Sequence, residues 1–390
     1  MTPHLARENM KPTVLVVDDE AGPRDAVNVI LRPFFNIRLA ENARKALEIL
    51  TVQHIDLIVL DQKLPDRHGM DLLQDIKREH ADIEVIIITG HGSVESAMEG
   101  LRHGAAGYLL KPFNVTELMT LVSQTLEKKK RFDCIRNICR SSPELWMSEG
   151  EAFVTWERLK TSYLELGTHS QGDASHAPGE RGWIPLLTDI LESKSRQLLQ
   201  HSSRASFYAM LIGTRLNLAT EAQQALMLGA FLHDIGKALP VCCGSSEGQV
   251  VFPHDEVSHR QHPEIGARLI HCAGLPIEVS QTVLHHHERW DGEGFPHALE
   301  RERIPLLARI VSIVQAFDHL TTEISGRSPF PADQALHRIA RESHAQFDPV
   351  LTDLFREVMM DCKDSLPPLA QIPAITSGNQ PAFPMPRIIH

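Results

Sequence analysis

The sequence predicts an α/β doubly wound parallel sheet at the N-terminal end and an all-α helical domain after it. Three observations predict this. Residues 13–126 alternate short β-branched runs with amphipathic stretches, residues from 184 to about 355 space their apolar side chains at helical intervals, and the segment between them changes composition. The chain has 390 residues, 42% of them hydrophobic and 23% charged, which is globular composition and length enough for two cores.

The strands come first. Val14-Leu15-Val16-Val17, Leu57-Ile58-Val59-Leu60, Val85-Ile86-Ile87-Ile88 and Tyr108-Leu109-Leu110 are continuous apolar runs, the pattern of strands covered on both faces of a parallel sheet. Between them, residues 44–50 and 70–78 read as helices, and alternating β and α elements place helices on both faces. A first domain is expected over 1–126. Residues 127–183 read as a linker helix and a flexible loop, because 127–131 is charged and 167–182 is rich in Gly, Ser, Pro and His. A helical domain is expected over 184–364, with spacing such as Ala225, Leu226, Leu228, Phe231 and Leu232. The tail 365–390 is proline-rich with few charges and is expected to be disordered.

Charge and composition narrow the function. Lys and Arg number 39 and Asp and Glu 50, so the net charge is −11. Neutralising nucleic-acid phosphates needs a basic face, and no basic recognition helix is visible, so no DNA partner is expected. No apolar run reaches the roughly 18 residues of a spanning helix, so no membrane insertion is expected. The N-terminus lacks an apolar secretory core, and six cysteines form no C-x-x-C pair, so a cytoplasmic protein with reduced thiols is expected. Histidine stands out at 22 copies, against 3 Tyr and 4 Trp.

Polar residues end the strands. Asp18 and Asp19 follow the first run, Asp61 and Thr89 end later ones, and Lys111 ends the last, before Pro112. In a parallel sheet these ends open on one edge, where ligands bind. Three carboxylates there suit Mg²⁺, and a hydroxyl and an ammonium can hold phosphoryl oxygens. A lone Asp at a strand end is ordinarily a turn residue; five positions ending four strands in order are not. The patterns VVDDE, D-x-x-L-P-D-x-x-G at 61–69, T-G-H-G from Thr89 and Y-L-L-K-P-F at 108–113 resemble the receiver domain of two-component response regulators, a flavodoxin-like fold, across 13–126. The resemblance implies a sensor histidine kinase as partner and Asp61 as phosphoacceptor. It also implies Mg²⁺ held by Asp18, Asp19, Asp61 and the Lys63 carbonyl, Lys111 as phosphate partner, and Thr89 with Tyr108 as a switch pair, in which a dianionic phosphoryl group draws the hydroxyl inward.

In the helical region, His233 and Asp234 lie inside an apolar run, where a carboxylate beside an imidazole is costly unless something pairs them. A divalent metal is the natural partner. His201 lies upstream; His262 precedes Pro263, and His286-His287 open the run H-H-E-R-W-D-G-E-G-F-P to Pro296. Lone histidines such as His271 and His319 read as surface or core residues, and His285 is the weakest of its triplet and is left out of the ligand set.

Five motifs in order extend the pattern: L-H-D-I-G-K at 232–237, H-P-x-x-G at 262–266, H-H-E-R-W-D-G-x-G-F-P at 286–296, I-P-L-x-A-R-I-V at 304–311 and F-D-P at 347–349. Together they resemble the HD-GYP branch of the HD phosphohydrolase superfamily over roughly 185–355. The resemblance implies hydrolysis of cyclic di-GMP to the linear dinucleotide or GMP, with one metal on His201, His233 and Asp234 and a second on Asp234, His262, His286 and His287. Lys237 would bind phosphate, aided by Arg327. Two close cations activate water and clamp phosphate oxygens for in-line displacement; mixed imidazole and carboxylate ligation favours Fe or Mn, with Zn, Ni or Co as alternatives.

Three departures qualify this. Phe295 stands where the family has Tyr, in the 294–296 loop through which a diguanylate cyclase partner is implied. Gln197 replaces the Glu of three-metal members, so two metals are expected. V-Q-A-F-D-H-L at 314–320 aligns with A-D-x-F-D-A-L, so Gln315 replaces a ligating Asp; Asp318, three residues on near the same helix face, is a candidate to take its place, although it already matches a separate family position. The rival reading is a catalytically weak or inactive module acting as a ligand sensor or a protein-interaction output. A homodimer is implied by analogy alone.

Overall fold

The structure, a computed structural model, describes residues 11–90, 99–101, 103–140, 148–167, 183–239, 241–242, 250–251, 256–322 and 328–362. The chain divides into two compact units, 1–131 and 132–390.

In the first unit five parallel strands form a sheet of order β2-β1-β3-β4-β5: β1 (Thr13–Val17), β2 (Asn36–Ala40), β3 (Leu57–Asp61), β4 (Glu84–Thr89) and β5 (Gly107–Leu110). The apolar runs at β1, β3 and β4 are buried on both faces and divide between two cores, one on each side of the sheet. β2 carries no such run. Its sequence NIRLA is mostly exposed because it is an edge strand, so its apolar pattern is too thin to find by inspection. The helices α1 (Ala21–Leu31), α2 (Ala43–Val52) and α3 (Gly69–Glu79) follow β1, β2 and β3. Asn42 starts α2 by accepting a hydrogen bond from the Lys45 amide at 2.8 Å, which satisfies a donor the helix itself leaves unpaired. Gly69 is required where the loop after β3 folds back: a Cβ there would lie 2.4 Å from the Asp61 carbonyl oxygen.

Strand order reverses between β1 and β3, so the carboxyl ends of these two strands frame a crevice. Asp18 and Asp61 stand on either side of it.

The helix α4 (Val115–Arg140) runs from the first unit into the second. The second unit contains α5 (Glu149–Gly167), α6 (Ile184–Lys194), α7 (Arg196–Arg215), α8 (Thr220–Leu232), a 3-10 turn (Ile235–Ala238), β6 (Val241–Cys242), β7 (Val250–Val251), α9 (Glu256–Cys272), α10 (Ile277–His285), α11 (Leu306–Thr321), α12 (Ala332–Arg341) and α13 (Pro349–Asp361). The antiparallel pair β6 and β7 is a local exception to an otherwise helical unit.

The expectation of a linker over 127–183 requires correction. Ile135, Ile138 and Cys139 of α4, and Ala152, Trp156 and Leu159 of α5, are buried in the same core as α6 to α13. The isoleucine and leucine side chains among them repay burial by roughly 1.5–3 kcal/mol each, so these two helices are structural parts of the unit. The loop expected at 168–182 and the tail 365–390 lie outside the described residues.

A row of buried aromatics, Tyr208, Phe317 and Phe355, joins α7, α11 and α13 with ring centroids 5.3 and 5.2 Å apart in edge-to-face geometry. Phe317 therefore anchors α11 in the core and holds the neighbouring Gln315 and Asp318 in place.

Candidate functional site

At the carboxyl edge of the sheet, Asp18 and Asp61 are both nearly buried, and oxygens of Asp18, Asp19 and Asp61 lie close enough together to share one cation. Lys111 bridges them: its Nζ donates to Asp18 Oδ2 at 2.8 Å and to Asp61 Oδ2. The Lys63 amide donates to Asp61 Oδ1 at 3.1 Å, and the Glu20 amide to Asp18 Oδ1 at 2.9 Å. Burial raises the Asp18 pKa, opposed in part by Lys111. Burial works to lower the Lys111 pKa, but its two carboxylate partners outweigh that and leave it raised. The lysine is thus a fixed cation among carboxylates. Thr89 is buried at the end of β4 and Tyr108 is half-buried on the adjacent strand β5. Asp18, Asp19, Asp61 and Lys111 are brought together at this edge.

The second unit assembles two histidine clusters that share one residue. His201, His233 and Asp234 form the first; Asp234, His262, His286 and His287 form the second. Asp234 divides its oxygens between them. Its Oδ2 lies 3.7 Å from His201 Nε2 and 3.5 Å from His233 Nε2, while Oδ1 lies 3.2 Å from His262 Nε2 and 3.6 Å from His286 Nε2. His201 Nε2 and His233 Nε2 are 3.1 Å apart, and His262 Nε2 and His286 Nε2 3.2 Å.

Local structure aims these nitrogens. His233 and His286 each follow the last residue of a helix, α8 and α10, and each Nδ1 donates back to the carbonyl three residues earlier, Ala230 and Val283, at 2.7 Å. A helix end leaves such carbonyls without partners, so the histidine satisfies one and turns its Nε2 lone pair inward. His201, within α7, finds its partner in tertiary structure: Nδ1 donates to Asp318 Oδ2 at 2.7 Å. Asp318 is in turn clamped by Arg204, whose Nη2 donates at 2.8 Å. Burial works to raise the Asp318 pKa, but Arg204 and His201 outweigh it and bring it down to about 2.

Gly236 closes the pocket, since a Cβ there would lie 2.0 Å from the His262 carbonyl; only glycine lets the 3-10 turn pack against α9 so closely. Lys237 on that turn places Nζ 2.6 Å from Asp234 Oδ2 with a quarter of its side chain exposed. Phe295 stacks on His287 at 4.8 Å and 18°.

Burial lowers the pKa of His262 to about 4 and those of His233 and His287 well below the ordinary value. These rings are neutral at pH 7 and ready to ligate. The unfolded chain takes up protons near pH 6.5 that the folded site refuses, so the stabilisation is complete above that pH and is lost as pH falls towards 4. All four tryptophans follow residue 131, so their fluorescence reports the second unit. The metal-free protein is expected to unfold at progressively lower temperature between pH 6.5 and 4; an unchanged midpoint would show that the rings are not held neutral.

Gln315 is buried and its Nε2 donates to the His286 carbonyl at 3.1 Å. A carbonyl only accepts, which fixes the amide orientation and leaves Gln315 Oε1 buried without a hydrogen-bond partner. Asp318 does not replace the missing carboxylate: both its oxygens serve His201 and Arg204. Arg327 lies outside the described residues. Sequence reasoning missed the Arg204–Asp318 clamp, although charges at positions 204 and 318 inside apolar helical runs are a usable signal. It also missed His319, whose ring stacks on His201 at 4.6 Å and 18°.

The donor set fits divalent metals: neutral imidazoles on both sides of one carboxylate, with an orphaned amide oxygen beside them. Among the described residues no helix is long and apolar enough to cross a membrane.

Residues 14–123 match the family model of the response regulator receiver domain, and residues 185–351 that of the HD domain. The chain carries an N-terminal response regulator receiver domain followed by an HD domain. Its relatives include the cyclic di-GMP phosphodiesterase of Thermotoga maritima, 25% identical over 90% of this chain and 92% of that protein. The probable cyclic di-GMP phosphodiesterase of Vibrio cholerae is 25% identical over 90% of this chain and 79% of that protein. The cyclic di-GMP phosphodiesterase response regulator RpfG of Xanthomonas campestris pv. campestris is 26% identical over 87% of this chain and 86% of that protein.

Proposed function

We propose that this protein is a metal-dependent phosphohydrolase of the HD-GYP type that cleaves cyclic di-GMP, with phosphorylation of Asp61 as its control. The observation that carries this reading is Asp234, whose two oxygens face two separate sets of imidazole nitrogens at 3.2–3.7 Å. The names of the full-length relatives supply the substrate.

Two adjacent divalent ions, when bound, supply Lewis acidity that activates water and screens phosphate charge. Asp234, His201 and His233 would hold one and Asp234, His262, His286 and His287 the other. Lys237, already at the rim of the pocket, binds a non-bridging phosphate oxygen and stabilises the charge that builds up in the transition state. Asp318 and Arg204 keep His201 in its ligating tautomer, and Phe295 sets the plane of His287. In the receiver, an Asp61 oxygen attacks the phosphorus of a kinase phosphohistidine, forming an O–P bond as the N–P bond breaks. Lys111 neutralises the product, Asp18 and Asp19 would hold a Mg²⁺ supplying further positive charge there, and Thr89 with Tyr108 transmits the change.

A second reading, a weak hydrolase or ligand sensor, rests on Gln315. Its amide oxygen can coordinate a cation but brings no negative charge, so the first metal binds more weakly. Losing supporting interactions around a metal costs about 10- to 100-fold in affinity or activity, and a lost carboxylate ligand belongs at the upper end of that range or above it. Cyclic di-GMP turnover by wild type and Gln315→Asp, each reconstituted with Fe²⁺ or Mn²⁺ across a range of concentrations, tests both readings. Slow, metal-concentration-dependent turnover by wild type and faster turnover by Gln315→Asp at limiting metal are expected. Absence of hydrolysis in both proteins with full metal occupancy would establish the sensor reading.

A further inference from the structure

Beyond the Asp234 clusters, a third group of histidine and carboxylate side chains in the second unit brings its donor atoms together: His285, Glu288 and His297. It shares no residue with the other two. Glu288 is almost wholly buried, and its oxygens accept the His297 amide at 2.8 Å and the Leu299 amide at 3.0 Å. These bonds fold the loop back on the end of α10, so that the His297 ring lies 5.3 Å from that of His285.

His285 Nδ1 is buried, makes no hydrogen bond, and stands 3.5 Å from Glu288 Oε1. That separation is long for a hydrogen bond. It matches the spacing of two ligands on one tetrahedral ion, about 3.4 Å for bonds of about 2.1 Å. A carboxylate offers about four acceptor positions, so the two backbone amides leave Glu288 able to ligate. His297 is exposed, which leaves the third side of the group open to entry of an ion from solvent.

We propose that His285, Glu288 and His297 form a binding site for a single Zn²⁺ ion, distinct from the ions of the Asp234 clusters. Two imidazoles and one carboxylate are a favourable Zn²⁺ donor set, with water completing a tetrahedron. The ion clips residues 294–297 to the end of α10, and so steadies the loop whose Phe295 stacks on His287.

The test uses the untagged full-length protein in excess Mg²⁺, dialysed against limiting Zn²⁺ and assayed by elemental analysis. The background is Asp234→Asn, which cripples both inner clusters. One Zn²⁺ per chain is expected to remain, and adding His285→Gln and His297→Gln is expected to weaken its binding by about tenfold or more. In the wild-type background the same pair lowers the Zn²⁺ content by one ion. His297→Gln alone, at an exposed position, gives the same direction of change without disturbing packing. Co²⁺ in place of Zn²⁺ reports tetrahedral imidazole–carboxylate ligation by its visible absorption, which the double variant loses. Zn²⁺ content and Co²⁺ spectra unchanged by these substitutions in both backgrounds would overturn the proposal. That outcome would leave the phosphohydrolase reading standing, because these residues hold neither inner cluster.

Discussion

Asp234→Ala is expected to strip both divalent ions from the second unit and to lower cyclic di-GMP turnover by at least about a hundredfold. One carboxylate is common to both clusters, so a single substitution removes the one anionic group among six candidate ligands. It also leaves Lys237 without its partner, at 2.6 Å, in a pocket of neutral imidazoles. Histidine variants should be milder, because each deletes one neutral donor from one cluster. Elemental analysis of the purified variant, with far-ultraviolet circular dichroism to confirm the fold, measures the effect. Full metal content in the folded variant would mean that Asp234 is not the shared ligand.

Asp61→Asn is expected to abolish phosphoryl transfer to the receiver altogether, the second of the two largest effects. The nucleophilic oxygen is gone, and an amide cannot form the acyl phosphate. Asp61 is the carboxylate that Lys111 and the Lys63 amide hold at the edge of the crevice, whereas Asp18 is tied to Lys111 and the Glu20 amide. Incubation with Mg²⁺ and a small phosphodonor, followed by intact mass measurement, should add one phosphoryl group to wild type and none to the variant. Labelling that persists in Asp61→Asn would move the acceptor to another side chain.

Much of this protein is legible without coordinates. The buried strands announce themselves because a strand covered on both faces carries a continuous apolar run, as 14–17 in β1, 57–60 in β3 and 85–88 in β4 do. The edge strand β2 does not, because solvent on one side permits Asn36 and Arg38. The clustered histidines are legible for a related reason: an imidazole beside a carboxylate in an apolar run needs a partner, and His233-Asp234 advertises that need. The linker expectation failed because the charges at 127–131 belong to the interior of one continuous helix, in which Lys129 is itself buried and donates to the Asp82 carbonyl. They carry no information about Ile135, Trp156 and Leu159, which the core of the second unit recruits.

The sequence by itself determined the class of each unit, the four apolar strand runs in order and the residue types at both sites, since apolar periodicity and local motifs encode these within a few residues. Only the tertiary structure decided how the donors are aimed. His201 and Asp318 are 117 positions apart, Gln315 and the His286 carbonyl 29, and no local pattern records that they meet. Asp318 pairs with His201 and Arg204, and Gln315 keeps a buried oxygen to spare, because helix packing around Phe317 sets which atom of each side chain reaches the pocket. Distances of a few ångström between residues far apart in the chain are a property of packing, and packing exists only once the chain has folded.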